Sequence, residues 1–179
     1  MQELFVLRHG QAEDLNTNHP KNDFDRHLTE DGKEKIQKLG LFLDKLAEDI
    51  DLILSSPLIR AKETAETILS NLSMKPELKI VDFLSAGASS KDISKGLLQF
   101  SSTNNILLVG HAPDLEMFIG KLVGAERIKL KKGALAKISL SSSIELSGGL
   151  EWLLTPKIVK KFKTKKKPKL DKIDKLEKV

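Results

Sequence analysis

Short apolar runs alternate with amphipathic stretches along most of this chain, and this alternation limits the fold more than any other feature. The runs Leu4–Leu7, Leu52–Leu54 and Asn105–Gly110 lead into turns rich in glycine and serine, so each predicts a buried strand. Apolar residues between the runs recur at spacings of three and four, which predicts helices with one apolar face. In the first such stretch they are Ile36, Leu39, Leu43 and Leu46. Strands that alternate with helices favour a mostly parallel sheet with helices on both faces.

Two predicted helices begin at residues that are typical caps. Thr29 precedes two acidic residues, which the helix dipole favours in a first turn, so Thr29 is predicted to cap the first helix. Ser56 and Pro57 follow the second strand, and we expect Ser56 to cap the second helix with Pro57 at its first position. The polar segment 11–27, before the first helix, is predicted to be a loop.

The pattern changes towards the end of the chain. A third strand is predicted at Leu78–Val81 and a third helix over residues 93–100. Residues 134–140 and 150–154 then alternate between apolar and polar types, which predicts a hairpin with Gly148-Gly149 at its turn. The sequence therefore predicts an α/β fold of three layers, α/β/α, whose mostly parallel sheet carries an antiparallel hairpin at one edge.

The net charge of +5 combines two parts of opposite sign. Up to Pro156 there are 19 Lys and Arg residues against 22 Asp and Glu, whereas from Lys157 onward there are 11 Lys against three acids. We therefore predict a domain at 1–156 and a lysine-rich tail at 157–179. Because the body is acidic, the basic total gives little support for nucleic-acid binding. The tail is predicted to be solvated, with a contact to acidic lipid or another polyanion as the alternative.

Composition also excludes several kinds of site. The chain has no cysteine, which excludes disulfides and thiolate metal sites, and its four histidines show no spacing typical of metal ligands. No apolar run approaches the ~20 residues of a membrane-spanning helix, and the N-terminal residues lack the pattern of a signal peptide. We therefore expect a cytoplasmic protein without a metal or cofactor.

Reactive or cationic side chains follow three of the predicted parallel strands. Arg8-His9-Gly10 ends the first strand, Arg60 follows the second, and His111 follows the last. Because the carboxyl ends of parallel strands share one edge of a sheet, we expect these side chains to meet there. Taken singly, a histidine after a strand is more often a hydrogen-bonded structural residue, and an arginine in a first helical turn is usually a surface residue. Their occurrence at matching strand ends favours one shared site.

The chemistry of this set suits a phosphoryl group. A guanidinium group pairs with two phosphate oxygens at once, and a helix N-terminus, such as the one after His111, offers free N–H groups to an anion. An imidazole attacks phosphorus when its second nitrogen is held as a donor. We expect Gly10 to let the backbone approach closely enough to hold the ring of His9 in that state.

The segments around these residues are Leu7-Arg8-His9-Gly10-Gln11-Ala12, Ser55-Ser56-Pro57-Leu58-Ile59-Arg60-Ala61-Lys62-Glu63-Thr64-Ala65 and Val109-Gly110-His111-Ala112-Pro113. In this order they resemble the three signature segments of the histidine phosphatase superfamily, and the resemblance runs from Met1 to about Pro156. The chain is most similar to the short SixA-type phosphohistidine phosphatases. The resemblance implies a fold like that of phosphoglycerate mutase but without a large cap, since about 35 residues separate Ser70 from the strand at Asn105.

The resemblance also implies roles for individual residues. His9 would be the nucleophile that becomes phosphorylated, and Arg8, Arg60 and His111 would stabilise the transferring group. The implied phosphate-binding set consists of Arg8, Arg26, Arg60, His111 and Ala112.

Asp82 is the candidate general acid, with a turn or strand-end aspartate as the alternative interpretation. The family often has a Glu after the third strand to protonate the leaving group, and Asp is one methylene shorter. An alkoxide needs a strong proton donor, because its alcohol has a pKa near that of water, ~15.7. Imidazole has a pKa of only ~6.5. A weak acid position therefore favours a substrate with a P–N bond over a sugar phosphate.

Together these inferences predict a metal-independent phosphatase that removes phosphoryl groups from phosphohistidine on signalling or phosphocarrier proteins and releases inorganic phosphate. An open pocket is also compatible with a second activity, that of a broad small-molecule phosphomonoesterase. A third hypothesis is a phosphate-binding module without catalysis. No nucleic-acid partner is expected.

Overall fold

Strands and helices alternate in the structure as the sequence predicts. The structure is a computed structural model that describes residues 2–15, 22–46, 48–142 and 146–162. Within these ranges the strands are β1 (Glu3–Arg8), β2 (Leu52–Ser55), β3 (Glu77–Ile80), β4 (Asn105–Gly110), β5 (Leu135–Ser142) and β6 (Ser147–Leu154). The helices are α1 (Glu30–Leu46), α2 (Ile59–Asn71), α3 (Ser90–Leu97), α4 (Asp114–Val123) and α5 (Pro156–Val159).

The strands form one sheet in the order β3-β2-β4-β1-β5-β6. Strands β1 to β4 are parallel, whereas β5 runs antiparallel to β1 and β6 antiparallel to β5. Arg8 lies opposite Gly110 and Ser55 lies opposite Val109, so the carboxyl ends of β1, β4 and β2 lie side by side. The predicted parallel sheet with an antiparallel hairpin at one edge is confirmed.

Alternate residues of β1 face opposite layers of helices. Phe5 and Leu7 pack with the buried faces of α1 and α2, whereas Leu4 and Val6 pack with those of α3 and α4. Burying one such side chain contributes ~1.5–3 kcal/mol. A shift of one residue would exchange the two sets, so the apolar layers on both faces fix the position of this strand. The three-layer α/β/α arrangement is confirmed.

The two predicted helix caps have different outcomes. Thr29 caps α1, since its hydroxyl accepts a backbone N–H of the first turn at 3.0 Å. The predicted start of α2 is wrong, because the helix begins at Ile59, two residues after Pro57, and Ser56 does not cap it. The hydroxyl of Ser56 accepts the N–H of Leu58 at 3.3 Å and lies 2.8 Å from Nε2 of His111. A residue of the capping type therefore serves the pocket at the strand ends.

The predicted hairpin turn is also wrong in position. Gly148 and Gly149 lie within β6, opposite Leu140 and Ser139. A Cβ on Gly148 would lie 2.4 Å from the carbonyl oxygen of Ser139, so the two strands approach closely at this point because Gly148 has no side chain. Glycine pairs occur at turns and at close backbone contacts, and the sequence pattern does not distinguish the two.

The segment between α2 and β4 builds the rest of one helical layer. It contains β3, which starts one residue earlier than predicted, a short 3₁₀ helix at Asp82–Leu84, α3 and a second 3₁₀ helix at Leu98–Phe100. Leu84, Ile93 and Leu97 from this segment belong to the core on the α4 side of the sheet. The elements of this segment belong to the sheet or to the helical layer, so few residues remain to cover the site. This agrees with a fold without a large cap.

The start of the predicted tail packs against the body. Val159 of α5 is buried beside α1, and the rings of Phe162 and Phe42 lie 4.9 Å apart. Residues 163–179 lie outside the described residues, so the division into a domain and a tail stays a prediction. None of the described helices is long and apolar enough to cross a membrane.

Candidate active site

The ends of β1 and β4 place two histidines side by side. His9 follows β1, His111 follows β4, and their ring centroids lie 5.2 Å apart. The two residues are only 5% and 3% exposed. Because β1 and β4 are adjacent and parallel, the sheet brings together residues about 100 positions apart in the chain.

The ring of His9 is held in one tautomer. Nδ1 lies 2.7 Å from the carbonyl oxygen of Gly10 and donates to it, because a carbonyl only accepts. Nε2 accepts a hydrogen bond from Nε of Arg60 at 3.3 Å and therefore carries the lone pair. Burial, assisted by the nearby His111, Arg60 and Arg8 and opposed by the Gly10 hydrogen bond, lowers the pKa of His9 to about 3. The ring is thus uncharged at neutral pH.

Backbone contacts from two other elements hold the segment around His9. The N–H of Gly10 donates to Oγ1 of Thr64 on α2 at 3.1 Å. The N–H of Gly133, just before β5, lies 3.1 Å from the carbonyl oxygen of Arg8 and 3.0 Å from that of His9. Gly133 has a φ of +71°, a conformation that glycine adopts without strain. The segment that carries the imidazole is therefore held from α2 and from the turn before β5.

Arg8 is anchored from the side of α4. Its Nη1 donates to the carbonyl oxygen of Leu130 at 2.8 Å, and the N–H of Leu130 donates to Oε1 of Glu116 at 2.9 Å. Burial lowers the pKa of Arg8, and the negative charge of the buried Glu116 opposes that change. Sequence reasoning missed Glu116. The sequence offered one signal for this role, namely an acidic residue next to the apolar positions of α4.

Asp23 joins two of the arginines. Arg60 donates from Nη1 to the carbonyl oxygen of Asp23 at 2.6 Å and from Nη2 to its Oδ2 at 2.9 Å. Arg26 donates from Nη1 to Oδ1 of the same carboxylate at 2.9 Å. Burial by itself would raise the pKa of Asp23, but the hydrogen bonds and charges of Arg26 and Arg60 lower it. An ionised carboxylate therefore lies between two arginines that were predicted to bind phosphate.

Sequence reasoning also missed Asp23. It belongs to a polar segment with no periodic pattern, and its partner Arg60 lies 37 positions away. The spacing of Asp23 and Arg26, three residues apart, was a weak local signal. Arg26 joins the pocket only through the shared carboxylate of Asp23, and its phosphate-binding role stays a prediction.

His111 and Arg8 each keep a nitrogen without a partner. Nε2 of His111 is 2.8 Å from the hydroxyl of Ser56, and burial, followed by the charge of Arg60, lowers the pKa of His111 to about 4. Its Nδ1 and the Nε of Arg8 are buried and make no hydrogen bond among the described residues. Buried polar atoms are nearly always paired. The Nε–H of Arg8 is therefore a donor available to an anion at this edge of the sheet, and Nδ1 of His111 is a second one in the tautomer that carries its proton there.

Positive charge in the pocket comes from guanidinium groups. Arg8 is held by the carbonyl oxygen of Leu130, whereas Arg60 is held by Asp23 and His9, so an anion in the pocket would compete with the contacts of Arg60. Among the described residues, no group of three His, Asp or Glu side chains is placed to hold a metal ion.

Asp82 and Ala112 lie at the margin of this arrangement. Asp82 is exposed in the 3₁₀ helix after β3, and no hydrogen bond or ion pair joins its carboxylate to another described residue. This 3₁₀ helix reaches the end of β4, because a Cβ on Gly110 would lie 3.4 Å from the carbonyl oxygen of Leu84. Ala112 follows His111 directly, just before α4. The structure brings Arg8, His9, Arg60 and His111 together, and it does not bring Asp82 into contact with them.

The fold and the site define a class: α/β proteins with a buried pair of histidines and two arginines at the carboxyl edge of the sheet. The sequence model of the histidine phosphatase superfamily (branch 1) matches residues 4–85, from β1 to the 3₁₀ helix after β3. Residues 4–85 therefore belong to the histidine phosphatase superfamily.

Two relatives show how far the sequence likeness extends. An uncharacterized protein of Picosynechococcus sp. is 33% identical over 115 residues, which cover 63% of this chain and 68% of that protein. The mitochondrial serine/threonine-protein phosphatase Pgam5 of Drosophila ananassae is 33% identical over 87 residues, which cover 48% of this chain and 28% of that protein. The chain thus spans less than a third of the larger fly protein.

Solved structures share the fold over nearly their whole length. The protein histidine phosphatase SixA, complexed with tungstate, has a TM-score of 0.78 at 22% identity, with 87% of this chain and 97% of that chain covered. The α-ribazole phosphatase of Shigella flexneri has a TM-score of 0.68 at 21% identity, with 87% and 97% covered. These likenesses confirm the expected fold and leave the substrate open.

Proposed function

We propose that this protein is a phosphohistidine phosphatase that takes the phosphoryl group from a histidine of a protein substrate onto Nε2 of His9. The observation that carries the proposal is the state of His9, a buried neutral imidazole whose Nδ1–H is held by the carbonyl of Gly10. A nucleophile needs its lone pair free of a proton, and this hydrogen bond places the lone pair on Nε2.

The reaction follows in two transfers. The substrate ring is first protonated by water on the nitrogen that does not carry phosphorus, which its pKa of ~6.5 allows. Nε2 of His9 then attacks phosphorus, the P–N bond breaks, and the ring keeps that electron pair and leaves as neutral imidazole. Water then attacks the phosphorus on His9, inorganic phosphate leaves, and the imidazole of His9 is restored. In the first step Nε of Arg60 must give up its hydrogen bond to Nε2, and its guanidinium is then placed to bind a phosphoryl oxygen.

The carboxylates near the pocket favour a P–N bond. Asp23 has a lowered pKa because Arg26 and Arg60 surround it, so it is a poor proton donor. Asp82 is exposed and forms no hydrogen bond with the histidines. It remains our candidate acid for substrates whose leaving group must be protonated. An imidazole leaving group, with a pKa of ~6.5, needs little help from an acid. The likeness to SixA, which binds tungstate, supports the same substrate class.

A second candidate function is hydrolysis of small phosphate esters in the same pocket. The likeness to an α-ribazole phosphatase favours it, because that enzyme has the same fold and comparable coverage. An ester substrate would require a proton donor at the leaving oxygen, which lies on the side of phosphorus opposite Nε2 of His9 in an in-line transfer.

The test is covalent trapping with ³²P. The protein is mixed briefly with a ³²P-phosphohistidine peptide or a ³²P-labelled sugar phosphate and then denatured. We expect acid-labile, base-stable label on the wild-type chain, lost in His9→Ala, with faster labelling from the peptide. Faster labelling from the ester would favour the second candidate, and no label from either donor would favour a binding module without catalysis.

The remaining features of the proposal concern the cell and the cofactor. We propose that the enzyme works in the cytoplasm. We also propose that it needs no metal, because Arg8 and Arg60 supply the positive charge that phosphoryl transfer needs. Full labelling in the presence of EDTA would support this, and loss of labelling that Mg²⁺ restores would contradict it.

A further inference from the structure

A cavity of about 380 Å³ adjoins the segment that carries His9. It lies between the start of α1, the turn before β5 and the first turn of α5. Its wall includes Gly10 and Gly133 but none of Arg8, His9, Arg60 or His111, so it is separate from the histidine pocket. The apolar part of the lining includes Ile36, Pro156 and Val159.

Lysines dominate the rim of this cavity. Six line it, against two acidic residues, Asp31 and Glu34. Those two acids pair within α1 with Lys35 and Lys38. The remaining lysines are Lys131, Lys132, Lys157 and Lys160.

Three of these lysines have no carboxylate to balance them. Among the described residues, Lys131, Lys132 and Lys157 form no ion pair within 4.0 Å. Three like charges beside one cavity repel one another, and an anionic occupant would remove that repulsion.

The cavity and the histidine pocket open at the same edge of the sheet. α1 starts, β5 starts and β6 ends at the edge where β1 ends, since Leu135 pairs with both Leu7 and Leu154. The turn that carries Lys131 and Lys132 ends at Gly133, whose N–H contacts the carbonyl of His9. A protein that presents a phosphorylated side chain to His9 would therefore also lie over the lysines.

We propose that this lysine-rimmed cavity binds an acidic segment of the phosphorylated protein substrate. The inference rests on the proposed function and names the kind of partner that the same edge accepts. Glutamate or aspartate side chains of the substrate would pair with Lys131, Lys132 and Lys157, while apolar atoms of the same segment would lie against Pro156. Charge complementarity of this kind mainly affects association and specificity.

Two synthetic phosphohistidine peptides provide the test. One carries four glutamates a few residues from the phosphohistidine, and the other carries serines at those positions. The variant is Lys131→Gln/Lys132→Gln/Lys157→Gln. The matched control, Lys91→Gln/Lys95→Gln/Lys121→Gln, removes the same charge from exposed positions on α3 and α4, on the opposite side of the sheet.

We expect the wild type to prefer the glutamate peptide in kcat/KM by about tenfold, the sum of three exposed ion pairs. The rim variant should lose that preference and the control should keep it, and 0.5 M NaCl should reduce it in the wild type. Equal kcat/KM for the two peptides, or equal loss in the rim and control variants, would overturn the docking proposal while leaving the proposed function intact.

A binding measurement separates the two proposals further. The unphosphorylated glutamate peptide should bind the wild type at low salt about tenfold more tightly than the rim variant. If neither phosphopeptide is hydrolysed while a sugar phosphate is, the proposed function fails. If, in addition, inorganic polyphosphate binds the rim and the peptide does not, the cavity takes a different anion and the inference is wrong.

Discussion

The two halves of the histidine pocket hold their charged groups in different ways. The floor, which consists of Arg8, His9 and His111, is tied to buried partners: the carbonyls of Leu130 and Gly10 and the hydroxyl of Ser56. The loop over it, residues 22–28, holds Arg60 through Asp23, whose side chain is 47% exposed.

This difference indicates a division of work between the halves. The contacts of the floor are made by the protein's own buried groups, so His9, the proposed nucleophile, would keep its Nδ1–H and its position throughout the proposed reaction. The loop contributes a carboxylate, and a phosphoryl group offers the same kind of oxygen to the same guanidinium. We interpret the floor as permanent structure and the Asp23 contact as one that the substrate exchanges.

Replacing the nucleophile tests the floor most severely. His9→Ala removes the atom that accepts phosphorus, and we expect kcat/KM to fall by about 10⁴-fold or more. The measurement is hydrolysis of a phosphohistidine peptide. His27→Ala, an exposed histidine bonded to Glu63, serves as the control and should retain activity. Full activity in His9→Ala would refute the proposed mechanism.

Removing either arginine should have the next largest effect. Arg8→Ala and Arg60→Ala each delete a fixed positive charge at the phosphoryl position, with an expected loss of about 10²–10³-fold in kcat/KM. Because Arg8 belongs to the floor, its loss should appear chiefly in kcat. The loss of Arg60, which binds Asp23 until the substrate replaces it, should also raise KM. If kcat and KM changed in the same way in both variants, the distinction between the floor and the loop would be wrong.

Glu116 should behave as a positioning residue for Arg8. Glu116→Ala leaves the N–H of Leu130 without its acceptor, and we expect about a tenfold loss of kcat/KM, with a stability cost of ~1–3 kcal/mol for the unsatisfied group. Glu116→Gln keeps an oxygen for that N–H. It should recover most of kcat, and failure to do so would show that the charge of Glu116 matters more than the hydrogen bond.

If the substrate displaces Asp23 from Arg60, removing the charge of Asp23 should strengthen anion binding. This effect is smaller than the losses of activity predicted above and opposite in direction. Asp23→Asn removes the resident negative charge from Arg60 and Arg26, so inorganic phosphate or tungstate should inhibit the variant at concentrations about two- to fivefold lower, the scale of an exposed ion pair. Asp25→Asn removes the same charge from the same loop and should leave inhibition unchanged. Weaker inhibition in Asp23→Asn would mean that Asp23 positions Arg60 rather than competing for it.

The smallest expected effect is that of pH on phosphorylation of His9. With a pKa of about 3, the ring remains neutral at pH 5, so the rate of label transfer at saturating donor, divided by the protonated fraction of the donor imidazole (pKa ~6.5), should change less than ~2-fold between pH 8 and 5. A histidine of ordinary pKa would lose about 30-fold over that range. A loss of that size would contradict the burial argument.

The same shifts affect stability with a defined sign. His9 and His111 have folded-state pKa values of about 3 and about 4, below the ~6.5 of the unfolded chain. The unfolded state therefore binds more protons below pH 6.5, and the free energy of unfolding falls as pH decreases, by up to ~1.4 kcal/mol per pH unit for each histidine. Denaturation curves at pH 7 and pH 5 would show this, and His111→Gln should weaken the dependence.

The sequence predicts the floor better than the loop for a physical reason. His9 and His111 follow strands that are recognisable as apolar runs, and adjacent parallel strands place their ends together. Asp23 lies in a segment without periodicity, so nothing local indicates that it reaches Arg60. Ser56 shows that a clear local pattern also gives a wrong role. Its residue type and position predicted a helix cap, but its hydroxyl contacts His111.

The position of β1 between β4 and β5 has a consequence for how the protein reaches its native state. β1 finds its two neighbours at Asn105–Gly110 and Leu135–Ser142, about 100 and 130 positions further along the chain. Contacts between such distant segments form late and slowly, because closing long loops costs entropy first. Recovery of phosphatase activity during refolding should therefore report the insertion of β1, and fragments that end before β5 should lack it.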